Sequence, residues 1–272
     1  MNSPEKNRTI TGDFHLHTKE YRPSTEVSDY MVLLQAAMVW HLQAIAITDH
    51  NGINPSLWAT LTDVLPESSP IVFPGVEMTT MFKKPSLGFS FKAKPTVSFS
   101  EDVPFHVGIF GTRATDIQEV TAQFQKPPQN FASVISVLDG RKLMVTINHP
   151  MIPRKPSTTI RLDILKHVGD MDKKLTIRAI EYSTNRYGIG KIAQTYGWAT
   201  VAGSDAHVGQ NGWQTDIGSV GTQIVFSPKE TDKSPEKILE KMRTAGANAQ
   251  QGKDPCIYPA IRQPDGKYRR YE

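Results

Sequence analysis

Short apolar runs alternate along this chain with stretches in which apolar residues recur every three or four positions. The apolar runs are typical of strands buried on both faces of a parallel sheet, and the recurring spacing predicts amphipathic helices. The predicted strands cover residues 14–17, 44–50, 71–77, 105–110, 143–150, 177–182, 199–207 and 222–226. The predicted helices cover residues 27–41, 55–65, 131–138, 162–168, 189–196 and 235–245.

Strands that alternate with helices predict parallel βαβ units, and about seven such units in one chain predict an α/β barrel. We therefore expect residues 1–272 to form a single barrel domain. Residues 81–104 interrupt the alternation with Lys, Pro, Ser and Phe, which predicts an inserted hairpin or a long loop. Residues 247–272 are predicted to be a polar C-terminal tail that follows the surface or frays.

Composition bears on the charge of the substrate or partner and on the compartment of the protein. The formal charge of +4 favours an anionic substrate or partner but is too small to indicate nucleic-acid binding by itself. The single cysteine, Cys256, excludes an intrachain disulfide and fits a reducing compartment. The sequence contains neither a signal-peptide pattern nor an apolar run of membrane-spanning length. We expect a cytoplasmic protein that does not bind membranes.

Metal-ligand residues concentrate at the predicted strands. His15 and His17 lie two positions apart, so their side chains point to the same face of a strand. Residues of ligand type lie within or at the carboxyl ends of the predicted strands at His15, His17, His50, Glu77, His106, His149, Asp205 and His207. In an α/β barrel this end carries the active site. His41 and His167 instead end helices, where a cation suits the helix dipole, so we interpret both as structural.

These residues resemble, in order and spacing, the motifs of the PHP (polymerase and histidinol phosphatase) superfamily. The matching motifs are His15-Leu16-His17, Thr48-Asp49-His50, Gly75-Val76-Glu77, His106, Asn148-His149-Pro150 and Gly203-Ser204-Asp205-Ala206-His207. The resemblance covers residues 12–210. It implies a distorted seven-stranded (βα) TIM-like barrel that holds two or three divalent ions at the carboxyl ends of its strands and hydrolyses phosphate esters.

The resemblance also implies how the ligands are divided. One ion would lie between His15, His17, Glu77 and Asp205, a second between Glu77, His106 and His149, and a third between His50 and His207. Many members complete the third site with a His or Asp shortly after the first motif, but residues 18–26 contain neither. Glu20 or Glu26 would have to substitute, or the third ion is absent.

The ligand types limit the metal and the chemistry. Imidazole and carboxylate without thiolate fit Zn²⁺, Mn²⁺ or Fe²⁺ and disfavour Mg²⁺ alone. A carboxylate that bridges two ions supports attack by a metal-activated water, so no protein nucleophile is needed. We predict that Glu77, Asp205 and His207 form the catalytic group.

Cationic residues that follow strands are candidates for binding the substrate phosphate. They are Lys19, Arg22, Arg154, Lys155 and Arg186. Guanidinium and ammonium groups at the same rim would neutralise phosphoryl oxygens. For each residue taken singly, a solvated loop charge is the favoured interpretation.

Several functions remain open from the sequence. The first is a phosphatase or nucleotide phosphodiesterase. The second is a nuclease on DNA or RNA, alone or in a larger assembly, because lysines and phenylalanines interleave in residues 81–104. A metal-bearing partner protein without turnover and an amidohydrolase are further alternatives. Substrate, native metal and protein partners are not determined by the sequence.

Overall fold

The computed structural model describes residues 7–20, 22–82, 103–124, 126–150, 162–172, 176–182, 189–210 and 213–270. The strands are β1 (Arg8–His17), β2 (Ala44–Ile47), β3 (Ile71–Phe82), β4 (Val103–Phe110), β5 (Gln129–Asn130), β6 (Met144–Ile147), β7 (Ala179–Glu181), β8 (Ala199–Val201), β9 (Ala206–His207), β10 (Val220–Phe226), β11 (Ile257–Arg262) and β12 (Tyr268–Arg270). The helices are α1 (Val27–Val39), α2 (Pro55–Val64), α3 (Ala114–Thr121), α4 (Phe131–Leu138), α5 (Leu162–Met171), α6 (Ile189–Tyr196), α7 (Trp213–Asp216) and α8 (Pro235–Gln250).

The strands form one curled mixed sheet, and the prediction of a distorted seven-stranded TIM-like barrel is wrong. Within the described residues the sheet has twelve strands, and its main path runs β12-β11-β10-β1-β2-β3-β4-β6-β7-β8. The curl brings β10 close to the residue after β8, since Thr222 Oγ1 of β10 accepts from the backbone N of Ala202 and donates to its O. The fold is still α/β, but its sheet resembles a half-barrel.

Antiparallel pairs are the reason that the sheet differs from a barrel of βαβ units. β3 pairs with β4 antiparallel as far as Phe82 opposite Val103, so these two strands return on each other without a crossover helix. β4 is also antiparallel to β6, and β10 is antiparallel to β1 and to β11. The ends of the predicted 81–104 insertion belong to this strand pair, and residues 83–102 lie outside the described part.

The C-terminal residues add to the sheet. The prediction of a polar tail over 247–272 is wrong for most of that stretch, because α8 continues to Gln250 and β11 and β12 extend the sheet beyond β10. Arg270 stacks over the ring of Tyr258, with its Cζ 3.5 Å from the ring centroid. β11 and β12 are short, and they form strands through their pairing with β10 and with each other, which the local sequence does not indicate.

Apolar packing fixes the strand that carries the first candidate ligands. Phe14 stacks on Phe110 with ring centroids 5.6 Å apart, and Leu16 is fully buried. Because side chains alternate along a strand, His15 and His17 point to the other face of β1. None of the helices among the described residues combines the length and the apolar character needed to cross a membrane.

Candidate metal centre

The structure brings together all eight side chains that the sequence singled out as metal ligands. His15 and His17 end β1, Glu77 lies in β3, and His106 lies in β4. His50 follows β2 and forms a parallel bridge with Glu77. The remaining three, His149, Asp205 and His207, follow β6 or belong to the segment around β9. Neighbouring strands thus present their side chains to one shared cluster.

Glu77 is the centre of this cluster. Its carboxylate is fully buried and is surrounded by imidazole nitrogens. The four distances are 3.0 Å from Oε1 to His15 Nε2, 3.2 Å from Oε1 to His149 Nε2, 3.1 Å from Oε2 to His50 Nδ1 and 2.9 Å from Oε2 to His106 Nδ1. Each oxygen therefore faces two imidazole nitrogens, as a carboxylate that bridges two ions would.

Asp205 and His207 complete the cluster on the other side of β1. Asp205 Oδ1 lies 3.3 Å from His17 Nε2 and 3.5 Å from His15 Nε2. The Nε2 atoms of His50 and His207 lie 3.3 Å apart. Asp205 has a φ of 55°, in the left-handed region, and its backbone N donates to His15 O at 2.9 Å. Such backbone strain is often held at functional sites by the surrounding structure.

The donors fit a divalent metal. Four overlapping groups have ligand atoms within 4.8 Å of one another: His17, His50 and His207; His15, His17 and Glu77; His15, His149 and Asp205; and His50, Glu77 and His106. Among the described residues, Nδ1 of the fully buried His17 has no hydrogen-bond partner, and its Nε2 lies 3.3 Å from Asp205 Oδ1 and 3.8 Å from Glu77 Oε2. Buried polar atoms are normally paired, and a bound ion would complete the partners of this ring. The groups overlap at His15, His17, His50 and Glu77, whereas the sets that the family resemblance implies share Glu77 alone.

Burial and charge shift the pKa values of the cluster in opposite directions. Burial would raise the pKa of Glu77, but His15 and His106 outweigh burial and hold it well below its usual range. Burial likewise acts against the charge of Asp205, but His15 and His17 lower the pKa of its carboxyl. Burial lowers the pKa of His17 to about 3. A neutral imidazole beside ionised carboxylates is the protonation state that metal binding needs.

Two polar residues beside the ligands were not predicted to act at the site, although Asn148 belongs to one of the matching motifs. Glu181 Oε1 lies 2.9 Å from His15 Nδ1, and its Oε2 accepts from the backbone N of His149. Asn148 Nδ2 donates to Glu77 Oε1 at 2.8 Å. Burial would lower the pKa of His15, but Glu181 leads the carboxylates that raise it well above its usual value. Glu181 lies one residue before the end of the predicted strand 177–182, but its contact with His15 is 166 positions away and has no local signal.

Asp49 points away from the cluster and supports it from behind. Its carboxylate accepts from the backbone N of Thr18 at 2.6 Å and from Thr18 Oγ1 at 2.7 Å, and the hydroxyl of Tyr30 donates to it at 3.3 Å. Asp13 has a similar position on β1, where it accepts from the backbone N of Gly218 at 3.0 Å. Burial raises the pKa of both carboxyls to about 6. These contacts fix the two ends of the segment that carries His15 and His17.

Of the predicted phosphate-binding cations, the structure describes two, Lys19 and Arg22. Lys19 Nζ pairs with Asp29 Oδ2 at 2.7 Å, and Arg22 is exposed. The other three candidates, Arg154, Lys155 and Arg186, lie outside the described residues. Glu20 and Glu26, the candidates for completing a third site, are exposed and belong to none of the ligand groups found in the described part of the chain.

Comparisons with known proteins identify the fold. No protein-family model matches the sequence, and a comparison with curated proteins finds no match either. The crystal structure of PsfC from Pseudomonas syringae is similar with a TM-score of 0.51 and 16% identity, over 90% of this chain and 98% of that chain. Endonuclease Q in complex with a 27-mer duplex carrying an abasic lesion is similar with a TM-score of 0.57 and 11% identity, over 86% of this chain and 56% of that chain. At these identities the similarity concerns the fold alone.

Proposed function

We propose that this protein is a metal-dependent hydrolase that cleaves phosphate esters with a metal-activated water. The observation that carries the proposal is the buried carboxylate of Glu77, with nitrogens of four histidines within 3.2 Å of its oxygens. A carboxylate in such surroundings would be difficult to maintain without cations. The motif resemblance to PHP phosphoesterases points to the same reaction class.

The proposed roles follow from the contacts. Glu77, the histidines and Asp205 would hold the ions, and Asn148 orients the Glu77 carboxylate by donating to Oε1. When bound, two divalent ions lower the pKa of a water and offset the charge that develops on the phosphoryl oxygens. Asp205 is the most exposed of these side chains, at 16% against 6% for His207, and we assign Asp205 to the face that meets substrate.

Hydrolysis of nucleic-acid phosphodiesters is the second candidate. The fold is shared with endonuclease Q, whose structure carries duplex DNA at its active site. A nuclease would use the same ligands with a larger substrate surface, for which the lysines and phenylalanines of residues 83–102 are candidates. The formal charge of +4 supports either substrate class.

The test is a substrate panel at neutral pH with protein reconstituted with Zn²⁺ or Mn²⁺. The panel contains a generic phosphomonoester, a generic phosphodiester, mononucleotides, and single- and double-stranded oligonucleotides. The variants Glu77→Gln and Asp205→Asn remove one ligand charge each. Asp116→Asn is the matched control, because Asp116 pairs with Arg113 on the surface at α3.

Turnover of small esters by wild type and by Asp116→Asn, lost in the two ligand variants, supports the proposal. Cleavage of oligonucleotides alone, with a steep dependence on salt, favours the nuclease. Equal activity in wild type and Glu77→Gln contradicts the proposal, because it means that the reaction does not use this cluster.

A further inference from the structure

Glu181 lies behind the cluster, between two of the proposed ligands. It ends β7, and its side chain is 8% exposed. Glu181 belongs to none of the ligand groups found in the described residues. Its two oxygens contact different elements, because Oε1 lies 2.9 Å from His15 Nδ1 and Oε2 accepts from the backbone N of His149. A carboxylate with this position can orient ligands without binding an ion.

The first oxygen fixes the orientation of His15. A carboxylate that accepts from Nδ1–H holds the proton on that nitrogen and leaves the lone pair on Nε2. His15 Nε2 is the nitrogen that faces the other donors, 3.0 Å from Glu77 Oε1 and 3.5 Å from Asp205 Oδ1. The geometry therefore directs the metal-binding nitrogen of His15 into the cluster.

The second oxygen holds the backbone at His149. This residue has a backbone φ of 28°, which is unusual for a residue other than glycine. Its Nε2 lies 3.2 Å from Glu77 Oε1 and 3.1 Å from His106 Nδ1, so a change in the backbone here would move a ligand. The bond from His149 N to Glu181 ties this strained backbone to β7.

The room for Glu181 comes from a glycine on the adjacent segment. A Cβ at Gly203 would lie 2.9 Å from Glu181 Oε1 and would also collide with the Cβ of His15. Residue 203 leads directly to Asp205, so the segment that carries this ligand packs against the Glu181–His15 contact. Three candidate ligands therefore depend on the position of one carboxylate.

We propose that Glu181 is a positioning residue that sets the tautomer of His15 and the backbone at His149, and thereby the affinity of the cluster for divalent metal. The inference rests on the proposed function only in that a metal binds this cluster. It does not depend on which ester is hydrolysed. Failure of the substrate panel therefore leaves it testable.

The variant Glu181→Gln keeps the size of the side chain but removes its charge and one of its two acceptor oxygens. A glutamine can accept one of the two N–H groups but must turn a donor toward the other. Asp172→Asn is the matched control, because Asp172 is also buried and accepts from the backbone N of Thr176 at 2.8 Å and of Ile177 at 2.7 Å. Its contacts lie in the segment before β7 and touch no candidate ligand.

The measurement is the affinity for Zn²⁺, by competition with a chromophoric chelator, for wild type and both variants. We expect Glu181→Gln to weaken Zn²⁺ binding about ten- to a hundredfold, and Asp172→Asn to match wild type. A long-range ¹H–¹⁵N spectrum of the zinc-loaded wild type should place the His15 proton on Nδ1. Unchanged affinity in Glu181→Gln, or a His15 proton on Nε2, overturns the inference. A wild type that binds no Zn²⁺ overturns both this inference and the proposed function.

Discussion

Thr146 illustrates how a single hydroxyl supports the site from within a strand. Thr146 Oγ1 donates to Asn148 Oδ1 at 2.6 Å, and this turns Asn148 Nδ2 toward Glu77 Oε1 at 2.8 Å. Because an amide can rotate to exchange its O and N atoms, the hydroxyl decides which atom faces the Glu77 carboxylate. Orientation of the central carboxylate thus begins at Thr146, three residues before the proposed ligand His149.

Thr146→Val should lower metal-dependent turnover about tenfold, because the shape of the side chain is kept while Asn148 loses its fixed orientation. Thr80→Val is the control, since the buried Thr80 Oγ1 donates to Phe105 O at 3.0 Å and lies outside the cluster. Each variant should lose about 1 kcal/mol of unfolding free energy from one buried hydrogen bond. Steady-state kinetics and denaturant titration measure the two effects, and equal turnover in both variants would contradict the role of Thr146.

At the scale of single residues, the sequence predicted which side chains are of ligand type and where they lie along the strands. All eight predicted ligands converge, because the positions at which strands end or pair are encoded in short apolar runs. Asn148 and Glu181 were missed for a physical reason: their roles come from hydrogen bonds between strands that are distant in sequence. Glu181 contacts His15, which lies 166 positions away.

Helix α8 depends on close backbone contact with β8. A Cβ at Gly246 would collide with Gly197 O and Trp198 C and would lie 2.5 Å from Ala199 N. All three are backbone atoms, which cannot rotate away as a flexible side chain would. The absence of a side chain at residue 246 therefore determines how closely this helix covers the end of the sheet.

Gly246→Ala should lower the free energy of unfolding by about 2 kcal/mol or more, because the helix must move away from β8. Gly190→Ala on α6 is the matched control, since a Cβ there meets nothing within 4 Å. Alanine is the better helix former, so the control should be neutral or stabilising by up to about 1 kcal/mol. Thermal unfolding of the two variants decides the point, and equal stabilities would refute the packing argument.

A charged contact ties the segment after β10 to α8. Glu230 Oε1 pairs with Lys241 Nζ at 2.7 Å, and Glu230 Oε2 accepts from Ser227 N at 2.8 Å. The hydrogen bond from Lys241 is the largest cause that lowers the pKa of Glu230 from 4.5 to about 2. Because the folded pKa is the lower one, the contribution to stability is present above pH 4.5 and is lost as the pH falls toward 2.

Glu230→Gln should therefore lower the free energy of unfolding by about 1 kcal/mol at pH 7, after allowance for solvent screening. The difference from wild type should shrink as the pH falls from about 4.5 to about 2. Glu240→Gln, which removes an exposed partner of Lys237, should follow wild type at every pH. Chemical denaturation across this pH range measures the effect, and a constant difference would exclude the linkage.

Most helices were well predicted, α3, β11 and β12 were not predicted, and the directions of several strands differ from the parallel arrangement that was expected. The predicted helices agree with α1, α2, α4, α5, α6 and α8 within a few residues, because apolar spacing and N-cap residues are local signals. Ser234, for example, accepts from Lys237 N at 3.3 Å at the start of α8. The direction of β4 beside β3 depends on the connection between them, and no local pattern records it. The barrel prediction failed for that reason.

At the scale of the whole molecule, the cluster connects strands on both sides of the curled sheet. β1, β3, β4 and the segments after β2, β6 and β8 each contribute at least one of its side chains. Ions bound by this cluster would connect β1 with the segment after β8. β8 lies at one end of the sheet path, so these ions would join parts of the sheet that are distant along that path. Metal binding should therefore report on folding of the entire chain.

Addition of Zn²⁺ or Mn²⁺ to the metal-free protein should raise its melting temperature. A ligand at a hundredfold its dissociation constant stabilises the folded state by about 2.7 kcal/mol for each site. For a chain of this size the shift is about 5–10 °C for one ion. Asp116→Asn should show the full shift and Glu77→Gln a smaller one. Absence of any shift in the wild type would contradict the claim that metal binding at this cluster stabilises the folded protein.

The most direct test of the account is the metal content of the wild type and of Glu77→Gln. Both proteins would be loaded with Zn²⁺ or Mn²⁺, dialysed and analysed by elemental emission. The account predicts at least two bound ions per wild-type chain and the loss of one or more in Glu77→Gln, because the carboxylate bridges the ligands. A wild type without stoichiometric metal, or a Glu77→Gln variant that retains every ion, would contradict it.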